Sequence, residues 1–354
     1  MRPTNPVLKA IRGKSEWLLL ASLLILGILS VVSLGIGPVT ISIGTIWDWL
    51  TQSSSEGQQM EFTILTSLRL PRVLAALWTG AALAIAGVGF QCLFRNPLAD
   101  PYVIGASSGA ALGVAIAVII GWRWSMFGVS PTSMFSMLGS IFTVGLVFVI
   151  GSANRGASSL TLLLAGVAIS SLANALVSLL MFVHDGQKTM VILNWLLGSL
   201  AASNWQSLPT LVVLSTFGMV WLWMMARQMD AYSLGDIASQ SLGLNLSRLR
   251  LSVVFAASVA TAAAVSTAGV VGFVGLIAPQ IARLLIGTRH TLLIPMSGLL
   301  GATITLIADA AARTVVAPAE LPVGILTAML GGPFFLGLLM RRGRSHSLLG
   351  RRGG

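Results

Sequence analysis

Apolar stretches of about 20 residues recur along this chain, and they constrain its fold more than any other feature. As a helix, each stretch is long enough to cross a hydrocarbon layer of about 30 Å. Hydrophobic residues make up 55% and charged residues only 9% of the 354 residues, whereas soluble domains carry about 25% charged residues. A membrane β-barrel would show short alternating segments, and these Gly-, Ala- and Leu-rich runs do not alternate. The sequence therefore predicts an all-α polytopic membrane protein.

Ten spans are predicted, and together they form a single transmembrane domain covering residues 1–354. A basic arm (1–16) precedes the spans and a basic tail (341–354) follows them. The first apolar run is too long for the core of a cleavable signal peptide, and no A-x-A-like site follows it. The predicted spans are 17–37, 70–92, 102–121, 131–151, 159–183, 209–226, 249–269, 272–288, 292–316 and 321–340.

The distribution of Lys and Arg predicts the orientation of the chain. With the N-terminus in the cytoplasm, 16 of the 21 Lys and Arg residues fall in cytoplasmic segments, as the positive-inside rule requires. An even number of spans then places both termini in the cytoplasm. Because the cations lie at the ends of spans, topology also accounts for the net charge of +11, and no nucleic-acid partner is predicted.

Five cations remain on the outer side, and three of them are candidates for a docking site. Arg69 and Arg72 open the second span, and Arg313 lies near the outer end of the ninth. One interpretation is snorkelling, or an ion pair of Arg313 with Asp309 one helical turn earlier. The other is a surface that docks an acidic partner. The remaining outer cations are Arg123 and Lys188, and the first outer loop carries Asp48, Glu56 and Glu61.

The two halves of the chain resemble each other. LRLPRV at 68–73 is echoed by LRLSVV at 249–254, and AGVGF at 86–90 by AGVVGF at 268–273. In the predicted topology, span 2 runs inward and span 7 runs outward. The pattern predicts an inverted repeat of spans 2–5 and 7–10, as in many transporters. Chance similarity between Ala- and Gly-rich helices is the alternative.

The sequence offers no catalytic or metal-binding pattern. RGKS at 12–15 fails as a phosphate-binding loop because Leu8 occupies the place of the first glycine. Three scattered histidines and the single Cys92 have no ligand spacing. We therefore predict no catalytic residues, no metal site and no cofactor bound by this chain. Within the spans Asp309 is the main ionisable residue, and a proton- or sodium-driven carrier needs several. The driving energy must come from elsewhere.

One polar segment, GDIASQSLGLNLS at 235–247, stands out between apolar runs. It belongs to a predicted cytoplasmic segment, 228–248. Asp236 or Ser233 could cap a short helix, and Gly243 would end it. Its apolar face would carry Ile237, Ala238 and Leu242. A helix lying on lipid headgroups would favour more Lys and Arg, so the segment is predicted to contact a cytoplasmic protein partner.

Several stretches, in order, resemble one family: the ten-span permease subunits of bacterial ABC importers for iron–siderophore complexes, haem and vitamin B12. NPLADP at 96–101 and ELPVG at 320–324 are the most diagnostic. Five matching stretches cover residues 68–110, 162–170, 241–251, 268–285 and 309–335. In that order, they begin with LRLPRVLAALWTG, LLLAGVAIS, SLGLNLSRLRL, AGVVGFVGLIAPQ and DAAARTVV.

The resemblance implies partners and a location. A second permease subunit, identical or related, would complete the pathway in the bacterial cytoplasmic (inner) membrane. Two ATPase subunits, carrying ATP and Mg²⁺, would dock on the cytoplasmic side, and a periplasmic or lipoprotein binding protein on the other. Iron(III)–siderophore is the expected cargo, with haem and cobalamin as alternatives. A zinc or manganese ABC permease, a secondary carrier and an intramembrane enzyme are weaker alternatives.

The resemblance also implies roles for particular residues. Docking to the binding protein would use Arg69, Arg72 and Arg313. Coupling to the ATPase would use Gly235, Asp236, Ala238, Ser241, Leu242, Gly243 and Leu244. The gate and pathway would include Asn96, Pro97, Leu98, Ser159 and Thr161. Tyr102 departs from the family pattern, in which this position is often small and apolar, and this leaves the packing of its loop open.

Overall fold

The computed structural model describes residues 6–51, 58–122, 129–152 and 159–350, and they are predominantly helical. Side chains are described from Ser15 to Gly337 within these ranges, except at 152, 159 and 160, and at Met340. The helices of the first half are α1 Pro6–Gly35, α2 Ile43–Leu50, α3 Gln59–Ile64, α4 Leu70–Leu93, α5 Ala106–Ile120, α6 Pro131–Ser152, α7 Ser159–Val183 and α8 Gly186–Leu196. Those of the second half are α9 Leu208–Met224, α10 Ala226–Tyr232, α11 Asp236–Ser241, α12 Leu246–Ala268, α13 Val274–Ile286, α14 His290–Ala312 and α15 Val323–Gly350.

Each of the ten predicted spans contains one of these helices, which confirms the all-α polytopic fold. Within the described residues, six helical segments are long and apolar enough to cross a membrane alone. The α9–α10 pair, bent by 53°, makes a seventh if it counts as one span. Three shorter apolar helices, Ala106–Ile120, Val274–Ile286 and Val323–Gly337, lie at the remaining predicted spans.

The predicted limits of spans 3 and 8 were too wide. The 102–121 stretch begins as a 3₁₀ turn, Pro101–Ile104, and α5 starts only after Gly105, whose φ is +91°. The 272–288 stretch becomes helical after Phe273, a non-glycine residue with φ +65°. An αL residue interrupts a right-handed helix, so apolar length alone overestimates both helices.

Three helices occupy regions predicted as loops. A short helix, α2, follows α1, and the Ser42 hydroxyl accepts a hydrogen bond from the Thr45 amide (3.1 Å) at its start. The Asp185 carboxylate caps α8 in the same way, accepting from the Lys188 amide (3.1 Å). Helix α3 leads through a π-helical turn, Leu65–Arg69, into α4. Side-chain caps of this kind stabilise short helices by about 1 kcal/mol, and apolar length does not reveal them.

Close packing of small residues places α4 at the centre of the fold, against α12, α13 and α14. A Cβ built on Gly80 would lie 2.2 Å from the carbonyl oxygen of Gly301, and one on Gly301 would lie 2.3 Å from that of Gly80. A Cβ on Gly87 would lie 2.0 Å from the carbonyl oxygen of Gly275. The backbones touch at these positions, as expected where small residues mediate helix contacts in membranes.

The order of elements repeats in the two halves, although the echoed motifs occupy different places. Helix α4 is followed by a loop and the shorter α5, and α12 by a loop and the shorter α13. AGVGF lies inside α4, whereas AGVVGF contains the end of α12 and the loop after it. The motif similarity therefore does not align equivalent turns of the two halves.

Candidate functional site

At the predicted outer end, a buried carboxylate joins two arginines. The Asp309 side chain is fully buried on α14, and its Oδ1 accepts a hydrogen bond from Arg72 Nε at 2.8 Å. Arg313 Nε lies 3.1 Å from Asp309 Oδ2, so the i,i+4 ion pair that was one of the interpretations of the sequence is present. The Arg313 guanidinium also donates to the Ile36 carbonyl (2.8 Å) and the Ser33 hydroxyl (2.7 Å) at the end of α1.

The two other members of this outer cluster are Glu320 and Arg69. Arg72 Nη1 donates to both oxygens of Glu320, at 3.0 and 2.8 Å. Arg69 instead donates to the main-chain carbonyls of Leu34 and Val39. The cluster therefore ties the start of α4 to the end of α14, the loop that precedes α15, and the turn after α1.

The three candidate docking cations are buried. Arg69, Arg72 and Arg313 are only 6%, 8% and 3% exposed. A buried cation needs a partner because desolvation is costly, and each guanidinium here has partners within its own chain. Glu320 is the accessible member of the cluster, since its side chain is 33% exposed.

The ELPVG motif has two structural uses. Its glutamate, Glu320, neutralises Arg72. Its glycine, Gly324, lies where a Cβ would be 2.4 Å from the carbonyl oxygens of both Leu197 and Val270. The motif thus fixes the start of α15 against two other loops.

The loop after α4 holds three of the predicted gate residues, and hydrogen bonds define its shape. The Asn96 Oδ1 accepts from the Leu98 amide at 3.0 Å. The Pro97 carbonyl accepts from the Gln280 side chain on α13. Arg95, just before Asn96, has φ +49°, a conformation that is uncommon for a non-glycine residue. This loop is therefore anchored to α13 rather than free.

The second half of the NPLADP motif is also anchored. Asp100 caps the 3₁₀ turn by accepting from the Tyr102 amide at 2.8 Å. Burial raises the pKa of the Asp100 carboxyl to about 6, against the lowering effect of that hydrogen bond. The Tyr102 hydroxyl donates to the Val271 carbonyl (3.0 Å) and accepts from the Val271 amide (3.2 Å). Tyr102 therefore joins the loops of the two halves, which accounts for a tyrosine at a position that is often small.

The other two gate candidates are less well placed by the structure. Thr161 is half-buried near the start of α7, and the side chain of Ser159 lies outside the described residues. Helix α7 packs against the 3₁₀ turn Pro101–Ile104, since a Cβ on Gly166 would lie 2.7 Å from the Val103 carbonyl oxygen. Both candidates thus belong to a helix that contacts the turn directly after the loop containing Asn96.

The predicted coupling helix exists as α11, but its capping differs from the prediction. Gly235, with φ +109°, occupies the N-cap without a side-chain hydrogen bond, so the prediction of a cap from Asp236 or Ser233 is wrong. The Asp236 carboxylate is bound to two arginines, and the Ser233 hydroxyl donates to the Met229 carbonyl (2.9 Å). Gly243, with φ +80°, follows the helix end as expected.

The side chains of α11 divide into an anchored and an exposed set. Ser239 is fully buried and donates to the Ala231 carbonyl at 2.9 Å. Ile237 is 84% exposed, and Leu234 and Leu242 are also largely exposed. The other predicted coupling residues are Ala238, Ser241 and Leu244, of which Ser241 is exposed and Leu244 half-buried. A group of exposed apolar side chains on and beside a polar helix is a feature of surfaces that contact another protein.

The sequence reasoning missed residues that hold α11 in place. Arg95 and Arg250 bind the Asp236 carboxylate at 2.6 and 3.1 Å. Tyr232 is buried beneath them, with the Arg95 Cζ 4.3 Å from its ring centroid. The only available signal was that both arginines flank predicted cytoplasmic segments, and that signal does not specify a pairing.

Comparison with known proteins shows which family this chain matches. The sequence model of the FecCD transport family matches residues 23–341. The hemin transport system permease protein HmuU of Yersinia pestis is 37% identical over 92% of this chain and 96% of its own length. The Fe(3+)-citrate import system permease protein YfmE of Bacillus subtilis is 38% identical over 93% of this chain and 96% of its own length.

Two further comparisons extend the range of relatives. The molybdate import system permease protein MolB of Haemophilus influenzae is 36% identical over 88% of this chain and 92% of its own length. A solved structure described as an inward-facing conformation of a putative metal-chelate type ABC transporter has a TM-score of 0.82 and 34% identity. The alignment covers 92% of this chain and 99% of the chain in the solved structure. The chain therefore belongs to the FecCD transport family, as an ABC transporter permease with multiple membrane-spanning helices.

Proposed function

We propose that this protein is the permease subunit of an ATP-driven importer that carries iron(III)–siderophore complexes across a bacterial inner membrane. A second permease subunit completes the pathway, two ATPase subunits bind the cytoplasmic side, and a substrate-binding protein delivers cargo from outside. ATP and Mg²⁺ bind the ATPase subunits. The observation that carries this proposal is α11, a short helix with exposed apolar side chains, on a chain that has no ATP-binding motif.

The state of Asp309 supports an external energy source over a secondary carrier. A proton- or sodium-coupled carrier needs an ionisable group that can change its charge or bind the ion along the pathway. The Asp309 carboxylate is instead held between Arg72 and Arg313. Both oxygens of this carboxylate face an arginine nitrogen, at 2.8 and 3.1 Å, so the group is already engaged in ion pairs within the chain.

The charge clusters support the proposed division of the segments between the two sides of the membrane. Arg72, Arg313 and Glu320 lie together, and all three belong to segments that the positive-inside count assigns to the outside. Arg95, Asp236 and Arg250 also lie together, and all belong to segments assigned to the cytoplasm. A topology that divided either cluster between the two sides would conflict with these contacts.

Replacing Ile237 with aspartate is expected to weaken binding of the ATPase. Ile237 is 84% exposed, so the change leaves the core intact, but it puts a charge where an apolar contact is proposed. Loss of a central apolar anchor in an interface costs roughly 2 kcal/mol, which corresponds to a decrease in affinity of well over tenfold. ATPase that co-purifies with the tagged permease is the quantity to measure.

Thr288→Asp is the control for that experiment. Thr288 is also exposed, on the same proposed side but outside α11, and it receives the same charge. Equal losses of ATPase from the two variants would indicate a general charge effect and would remove the assignment of α11 as the contact.

At the outer end, we propose that carboxylates of the binding protein compete with Glu320 for Arg72. Arg72 and Arg313, with Arg69 beside them, supply the positive charge, and Glu320 is the accessible carboxylate that occupies Arg72 in the free permease. Glu320→Gln is therefore expected to tighten binding of the binding protein several-fold, most clearly at low salt, since exposed charges are screened by ions.

The control for the outer end is Asp48→Asn, which removes a carboxylate that instead accepts a hydrogen bond from Gln58 (3.3 Å). Affinity of the binding protein for the reconstituted permease is measured at two salt concentrations. Weaker binding in Glu320→Gln than in wild type would contradict the competition and would indicate that Glu320 only stabilises the arginines.

The cargo is tested by uptake in cells with and without this gene. Radioiron is supplied as ferric siderophore and, in parallel, as ferric citrate, and unlabelled haem, cobalamin or molybdate is added as a competitor. Loss of radioiron uptake on deletion, unaffected by any competitor, is the expected result. Unchanged radioiron uptake, with loss of haem, cobalamin or molybdate uptake instead, would overturn the siderophore proposal and identify the cargo.

A further inference from the structure

The Arg95 side chain joins α11, the proposed coupling helix, to the loop after α4. This loop contains the gate candidates Asn96, Pro97 and Leu98 and is called the gate loop below. Asp236 is the first residue of α11, and its Oδ1 lies 2.6 Å from Arg95 Nη2. Arg95 belongs to the loop after α4 and directly precedes Asn96. The two residues are 141 positions apart, so their contact connects segments that the chain itself does not connect.

Arg95 has more contacts than a typical surface ion pair. Its Nη2 also donates to the Tyr232 carbonyl at 2.9 Å, and its guanidinium stacks over the Tyr232 ring at 4.3 Å. An isolated exposed pair contributes little because its side chains are mobile. A guanidinium that stacks on an aromatic ring and donates to two acceptors is held in one orientation.

Tyr232 gives this arrangement a rigid base. Only 2% of Tyr232 is exposed, and its hydroxyl donates to the Leu93 carbonyl at 3.3 Å, at the end of α4. The same hydroxyl accepts from Arg250 Nε at 3.1 Å, while Arg250 Nη2 lies 3.1 Å from Asp236 Oδ2. The ends of α4, α10 and α12 thus meet at the residue that opens α11.

From Arg95 the connection continues into the loop and to α13. Arg95 takes a left-handed conformation, and the Asn96 amide after it donates to the Gln91 carbonyl at 3.1 Å. Pro97 then accepts a hydrogen bond from Gln280 on α13. A loop held at both ends in this way has little freedom to absorb a displacement of Arg95, so its residues move with it.

We propose that Arg95 is a positioning residue that transmits movement of α11 to the loop containing Asn96 and Leu98. When an ATPase displaces α11, the Asp236–Arg95 contact pulls on the residue before Asn96, and the gate loop moves with it while Gln280 keeps the loop attached to α13. This inference rests on the proposed function, since it assumes that an ATPase acts on α11. Arg95 belongs neither to the gate candidates nor to the proposed ATPase contacts, so its role is additional to theirs.

Arg95→Gln tests the link in the complete importer, reconstituted in proteoliposomes with its ATPase and binding protein. Glutamine keeps a hydrogen-bond donor but lacks the positive charge and the planar guanidinium group of arginine. ATPase co-purification and radioiron uptake per ATP hydrolysed are measured together, with ferric siderophore and ferric citrate as probes. Arg227→Gln is the matched control, since Arg227 is exposed on α10 and outside the contact. Arg95→Lys, which restores the charge, is the conservative variant.

The expected result is uncoupling. Arg95→Gln retains bound ATPase and hydrolyses ATP, but uptake per ATP falls at least about tenfold, the equivalent of 1.4 kcal/mol. Arg95→Lys recovers part of the ratio, and Arg227→Gln matches wild type. An unchanged ratio in Arg95→Gln overturns the inference, as does loss of bound ATPase, which would make Arg95 a structural residue. A wild-type complex with no ATP-dependent uptake of iron, haem, cobalamin or molybdate would overturn the proposed function itself.

Discussion

Replacing Asp309 with alanine is expected to prevent stable folding of this permease. The carboxylate is fully buried and holds Arg72 and Arg313, so its removal leaves two buried cations without their shared counter-charge. Removing one partner of a buried ion pair costs about 3–5 kcal/mol, and this is a large fraction of the roughly 5–15 kcal/mol by which folded proteins are stable. The yield of monodisperse protein and its thermal unfolding in detergent are the measurements.

Two further variants separate charge from shape at the same site. Asp309→Asn keeps the shape and is expected to be nearly as destabilising as alanine, because the missing charge is the cause. Adding Arg313→Gln to Asp309→Asn removes one unbalanced cation and is expected to recover part of the stability. An Asp309→Ala protein that unfolds at the wild-type temperature would show that the cluster contributes no net stability.

A single methyl group at Gly80 is expected to separate two central helices. In the Gly80→Ala protein the new Cβ would lie 2.2 Å from the Gly301 carbonyl oxygen and 2.5 Å from the Thr305 hydroxyl. The carbonyl belongs to the backbone of α14 and has no rotamer by which to move away, so α4 and α14 must shift apart. Overpacking of this kind costs about 1–3 kcal/mol and sometimes more. The temperature of thermal unfolding and the rate of ATP-dependent uptake should both decrease.

Gly27→Ala is the matched control for this substitution. Gly27 lies inside a helix, α1, but a Cβ there has no atom within 4 Å. Alanine favours a helix interior over glycine by about 1 kcal/mol, so Gly27→Ala is expected to be neutral or stabilising. If the two variants lose stability equally, an added methyl group as such, rather than contact between backbones, would determine the effect, and the packing argument for α4 would be wrong.

The local features of this protein could be predicted from its sequence. All ten predicted spans contain helices, because apolar length depends on a single segment and on the thickness of the bilayer. The end of α11 at Gly243 and the Asp309–Arg313 ion pair were also predictable, since each involves residues within one or two turns. The two most diagnostic motifs of the family resemblance, NPLADP and ELPVG, are likewise short local stretches.

The tertiary structure alone decided which distant residues meet. Arg72 binds Asp309 and Glu320 across 237 and 248 positions, and no periodicity relates residues so far apart. The burial of the three docking candidates could not be read from the sequence either. Long-range contacts also make Asp236 a partner of Arg95 and Arg250 rather than the predicted helix cap. A charged side chain takes the partner that the packed helices bring near it, because burial penalises every unpaired alternative.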